Sequence, residues 1–166
     1  MVPHEELGGV WQGAVCELPM PAFPTGIMRG RFGADGSLYV CGMFAWAGNA
    51  TGAGGFYRIR PGKVAVPVPV EVKALRGGIR VRFSEPVGDT ASEMTVWSLK
   101  RSKGYGSKHY DERSLSIRQV VVSEDRRVVD VEVPELGPTQ CYSLRIGEHV
   151  LHGTIHRLGS GSVQGR

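Results

Sequence analysis

The stretch that most constrains this chain is Ile79-Arg80-Val81-Arg82-Phe83-Ser84-Glu85-Pro86-Val87. Ile79, Val81 and Phe83 alternate with Arg80 and Arg82, the period of two that marks a half-buried strand. Gly77-Gly78 ahead of it suits a tight turn with positive φ, and Pro86 closes it because proline cannot donate to a sheet ladder. A strand with one apolar face needs a second apolar layer to cover it. Downstream, further segments read as strands at 70–75, 94–101, 114–123, 127–133, 140–146 and 150–157, separated by turn residues. With 79–83 they make about seven strands in roughly 90 residues, the pattern of an immunoglobulin-like sandwich.

The N-terminal part carries its own strand signals at 10–18, 26–32, 37–43 and 55–60. Gly33-Ala34-Asp35-Gly36 is a hairpin turn between two of them, with Asp-Gly supplying the left-handed positions. Four short antiparallel strands in about 50 residues is the size of one β-propeller blade. Pro61-Gly62-Lys63 marks a boundary, and Pro67 and Pro69 make 61–69 a linker. The expected fold class is therefore all-β: an Ig-like antiparallel β-sandwich at 70–158 with a blade-like antiparallel β segment at 1–60. The Gly/Ser/Gln tail at 159–166 is expected to be disordered. A composition with 24 Gly and 10 Pro fits this turn-rich reading over a helical one. No apolar run reaches the length of about 18 residues that spans a bilayer, and residues 1–6 lack the basic start and apolar core of a signal peptide.

The formal charge of +4 is unevenly distributed along the sequence. In 1–60, Arg29, Arg31, Arg58 and Arg60 balance Glu5, Glu6, Glu17 and Asp35. In 96–118, Lys100, Arg101, Lys103, Lys108, Arg113 and Arg118 face only Asp111 and Glu112. Within that window Lys100, Arg101, Lys103, Tyr105, Lys108, His109 and Tyr110 interleave cations with aromatic rings on Gly104 and Gly106. This is the candidate contact loop. Its chemistry suits a glycan or an acidic protein face, with nucleic acid the least favoured partner.

Other constellations carry no chemistry. Ser107, His109 and Asp111 sit two apart, about 7 Å in an extended chain, too far for a hydrolytic relay. His149, His152 and His156 lie on a strand pattern, where His152 and His156 would be roughly 13 Å apart and cannot share an ion. The glycine-rich 48–55 has no Lys-Ser/Thr and no following helix, so it is not a phosphate cradle. No catalytic residue, metal ligand or cofactor is assigned. Cys16, Cys41 and Cys141 read as small buried hydrophobes, with a Cys16–Cys41 disulfide left open.

Two resemblances follow from quoted motifs. FSEPV at 83–87 and SEDRRVVDVEVPEL at 123–136, followed by CYSLRI, resemble bacterial Ig-like domains of large surface and secreted proteins. GIMRGRFGADGSLYVCGMFAWAG, GGFYRIR, VWSLKRSKGYGSKHYDE and HGTIHRL resemble the C-terminal region of large exported proteins of planctomycetes and verrucomicrobia. Those proteins join a sugar-dehydrogenase-like propeller to such a sandwich, often with a cytochrome c domain. The resemblance implies a terminal propeller blade at 1–60, an extracytoplasmic setting, and a propeller domain of the same or a neighbouring protein as partner. It implies a non-catalytic accessory module. The alternatives are a fragment of a sugar-dehydrogenase-like oxidoreductase, of PQQ type, with its active site elsewhere, and a polyanion or glycan binder.

Overall fold

The computed structural model describes residues 4–44, 50–60, 62–104 and 106–163. Its regular structure is all strand: β1 (His4–Leu7), β2 (Val10–Cys16), β3 (Ile27–Phe32), β4 (Leu38–Met43), β5 (Gly54–Ile59), β6 (Pro69–Arg76), β7 (Gly78–Phe83), β8 (Ser92–Ser98), β9 (Tyr110–Leu115), β10 (Gln119–Val122), β11 (Val128–Glu132), β12 (Thr139–Ile146), β13 (His149–Ile155) and β14 (Gly159–Ser162). The all-β class expected from the alternation holds. The chain forms two compact units, one of Met1–Leu18 with Val66–Arg166 and one of Pro19–Ala65.

The larger unit is a two-sheet sandwich. One sheet has the order β1-β2-β13-β12-β8-β9, the other β10-β11-β7-β6-β14. All pairings in it are antiparallel except β14 with β6. Alternation decides which side chains meet between the sheets. Ile79, Val81 and Phe83 of β7 and Val129 and Val131 of β11 point inward from one sheet, at 1% exposure or less. Met94 and Val96 of β8, Tyr142, Leu144 and Ile146 of β12, and Leu151 and Ile155 of β13 meet them from the other. Tyr142 pairs across the strands with Gly153. A Cβ added to Gly153 would lie 2.1 Å from the Gly13 carbonyl oxygen and 2.9 Å from the Tyr142 ring, so only glycine fits there.

Several expected boundaries are corrected. The segment 1–60 is not one piece, because β2 pairs with β13 and puts Ala14 and Cys16 into the sandwich core. The cause is long-range apolar burial, which local turn signals cannot report. Gln12 reinforces it: its Oε1 accepts from the His156 and Arg157 amides at 2.9 and 3.0 Å, and its Nε2 donates to the Arg157 carbonyl. Glu5 of β1 accepts from Gln12 Nε2 at 2.7 Å and from the Ala74 amide of β6 at 2.9 Å, tying the two sheets together. The stretch 159–166 is not a disordered tail throughout. Gly159–Ser162 adds β14 to the open edge of β6, and Val163 is buried beyond it. The single strand expected at 114–123 is two strands in different sheets, β9 and β10, joined by a three-residue crossover. Ile117 in that crossover packs on the core, and the Arg118 amide donates to the Glu132 carbonyl at 2.9 Å.

Outside the core, the exposed face of the five-stranded sheet is a ladder of compensated charges. Arg80 forms a two-point pair with Asp130, both contacts 2.7 Å, directly across β7 and β11. Glu71 takes Lys73 at 2.9 Å and Arg82 at 3.1 Å.

His149 lies at one end of the core, its ring 5.1 Å from that of Phe83. Burial pushes its pKa below the ordinary 6.5, with Glu148 partly opposing. The unfolded chain therefore binds the proton first, and stability present above about pH 6.5 declines as pH falls below it. Thermal melts between about pH 7.5 and 5 should show that decline, and His149→Gln should flatten it.

The smaller unit is a three-stranded antiparallel sheet, β3-β4-β5. Its β3–β4 turn is closed by the Gly33 amide donating to the Ser37 carbonyl at 2.9 Å, and by Gly36 at φ 74°. Of the four strands expected in 1–60, three are here. Residues 45–49, including Trp46, and Pro61 lie outside the described residues.

Candidate functional site

The candidate loop connects β8 to β9. Its start is pinned by the Leu99 amide, which donates to Gln140 Oε1 of β12 at 2.6 Å. The Lys100 amide donates to Ser107 Oγ at 3.1 Å, closing the loop on itself, and Ser107 Oγ donates to the Lys108 carbonyl at 2.9 Å. Gly106 has φ 81° and Asp111 φ 53°, the latter a left-handed conformation that costs a β-carbon residue about 1 kcal/mol. The strand pairing shifts register between Val96 and Ser98 beside it.

The aromatic groups are built in. His109 stacks on Trp97 with centroids 4.2 Å apart and planes 18° from parallel, and its Nδ1 is hydrogen-bonded to Glu112. Lys100 Nζ stands 4.3 Å above the centroid of Tyr110. Lys100, Ser102, Gly106, Ser107, Lys108 and Tyr110 line an open depression of about 470 Å³. Tyr105 lies outside the described residues. A large apolar side chain on a strand, Trp97 reads from the sequence as a core residue beside Phe83 and Tyr142, but it lies on the opposite side of β8 from Met94 and Val96. The parity of β8 carried that information, and the size of the indole obscured it. Gln140 and Glu112, which fix the loop, have no sequence signature of that role.

Ion pairing is uneven across the sandwich, and the loop is where unpaired cations cluster. In the sandwich, Lys73, Arg80, Arg82, Arg118, Arg127 and Arg145 each lie within 4.0 Å of a carboxylate. Arg118, counted with the basic window in the sequence, belongs to this group: it pairs with Glu132 on the other sheet, pulling that carboxyl down. Arg126 donates to the carbonyls of Val87 and Gly88. Among the described residues, Arg101, Lys103 and Lys108 make no ion pair, and all are exposed. Arg113 on β9 and Arg76 at the end of β6 are likewise exposed without an ion pair, so the unpaired cations of the sandwich gather mainly at the β8–β9 loop and the strand that leaves it.

The histidines of β13 do not converge. His149 packs on Phe83 while His152 is exposed, and among the described residues no group of three His, Cys, Asp or Glu side chains is placed to hold a metal. Cys16 is in the core, Cys141 is half-buried and Cys41 is exposed; the three are thiols. Burial pushes the Cys16 and Cys141 thiols up, away from reactivity. No helix among the described residues is long and apolar enough to cross a membrane.

No protein-family model, curated protein or solved structure matches this chain.

Proposed function

We propose that the chain is a non-catalytic interaction module whose β8–β9 loop grips an acidic protein face. The observation that carries this reading is the contrast in compensation. Most cations on the outer faces of the sheets are paired with carboxylates, whereas Arg101, Lys103 and Lys108 project together into solvent from a loop braced by Gln140, Ser107 and the His109–Trp97 stack. Bracing lowers the ordering cost of binding, and uncompensated charge speeds encounter with an opposite surface. We read the sandwich as Ig-like, supported by the motifs at 83–87 and 123–136 and by two sheets packed over a common core. The resemblance to exported propeller proteins supports an extracytoplasmic setting and a propeller domain as the partner.

The test is the double variant Lys103→Glu, Lys108→Glu, assayed for binding to poly-glutamate and for thermal stability. Both side chains are exposed and without ion pairs, so stability should change by no more than about 0.5 kcal/mol. Wild-type binding should weaken steeply with salt, and the variant should bind far less at every salt concentration. Unchanged binding by the variant would refute the role of the loop.

A further inference from the structure

The two-unit architecture redistributes the charge. Glu5 and Glu6 lie on β1, and Glu17 follows β2, so all three acids belong to the sandwich. Pro19–Ala65 is left with Arg29, Arg31, Arg58, Arg60 and Lys63 against Asp35 alone, five cations to one anion. That net of +4 equals the formal charge of the whole protein, so the remainder is neutral.

The sheet register puts much of this charge on one face with aromatic rings. Arg29 pairs with Cys41, Arg31 with Tyr39, Tyr39 with Arg58 and Cys41 with Phe56, so these side chains share a side of the β3-β4-β5 sheet. Phe56 is 71% exposed, and its ring stacks on Tyr39 with centroids 5.9 Å apart. Arg58 lies 5.7 Å from the Tyr39 centroid. Asp35 fixes this arrangement by accepting from the Ser37 amide at 3.1 Å, Ser37 Oγ at 2.9 Å, Tyr39 Oη at 3.1 Å and Arg58 Nη2 at 2.5 Å. Among the described residues, Arg29 and Arg31 have no carboxylate partner.

We infer that this face binds single-stranded nucleic acid, with a base stacked on Phe56 and phosphates held by Arg29 and Arg31. Base stacking needs only a flat ring and tolerates phenylalanine, while arginine forks match phosphate oxygens. Arg29 and Arg31 are two residues apart on one strand, about 7 Å, so they follow an extended backbone. A neutral glycan is the poorer fit. Sugar hydroxyls need acceptors beside the ring, and the one carboxylate of this unit is already committed to four donors.

The test is fluorescence anisotropy of a labelled 12-nucleotide oligothymidylate with the full chain at several salt concentrations. Binding should weaken as salt rises. Phe56→Ala should lower affinity by about 5- to 100-fold with an unchanged salt slope, and Phe56→Tyr should restore it. Arg29→Gln and Arg31→Gln should each flatten the logarithmic salt slope by about 0.7. Lys103→Glu with Lys108→Glu should have little effect, which separates this face from the β8–β9 loop. Absence of binding at low salt would overturn the inference. So would indifference to Phe56→Ala, equal competition by a heparin oligosaccharide, or loss of binding only in the loop variant.

Discussion

Replacing Phe83 by alanine should destabilise the sandwich by about 3–5 kcal/mol. Phe83 is 1% exposed at the end of β7, its ring beside His149, in the apolar cluster built from both sheets. Deleting the ring loses its transfer free energy and leaves a cavity that close-packed neighbours fill only in part. Its amide also donates to the Arg127 carbonyl at 2.7 Å, so the backbone there is held and cannot collapse freely into the space. A domain of this size is stable by about 5–15 kcal/mol, so the variant should melt far below the parent in urea or heat. Trp97→Ala, by contrast, should cost less, because Trp97 lies outside the core cluster and its ring stacks on the exposed His109.

An equally large effect is expected from removing residues 1–18. The sandwich bounds expected from the sequence, 70–158, leave out β1 and β2, and the structure makes a piece without them incomplete. Without β2, the β13 edge loses its partner, and Ala14 and Cys16 no longer close the core. The bonds of Gln12 to His156 and Arg157 and of Glu5 to Ala74 disappear with it. An open apolar edge is also a template for aggregation. Residues 64–158 alone should therefore show no cooperative melt.

Local features were legible and long-range ones were not. The alternation of Ile79, Val81 and Phe83, the turn at 33–36 and the positive φ of Gly77 all depend on neighbours in sequence, and the structure agrees with each. The pairing of β2 with β13 joins residues 135 to 141 positions apart, which no turn signal encodes. The break between β9 and β10 was hidden because 114–123 is short on turn residues, although the chain there passes from one sheet to the other. β14 has the sequence Gly-Ser-Gly-Ser, with no alternation at all; it exists because the β6 edge offers backbone partners and Val163 finds a buried site. The β8–β9 loop was legible as a cationic, aromatic stretch. That Arg118 leaves it for Glu132 depends on the same sheet crossover. The Arg29, Arg31 and Phe56 face was obscured for a related reason: the acids of β1 cancelled its charge along the sequence while lying in the other unit.

The central claim is that β1 and β2 are part of the sandwich and that Pro19–Ala65 is a separate unit inserted between β2 and β6. The direct test is the melt of a protein in which residues 20–64 are replaced by a short Gly/Ser linker, measured beside residues 64–166 alone. Excision with β1 and β2 retained should leave a single cooperative unfolding transition, while the shorter piece shows none. A cooperative melt of 64–166 with no gain from restoring 1–18 would contradict the account.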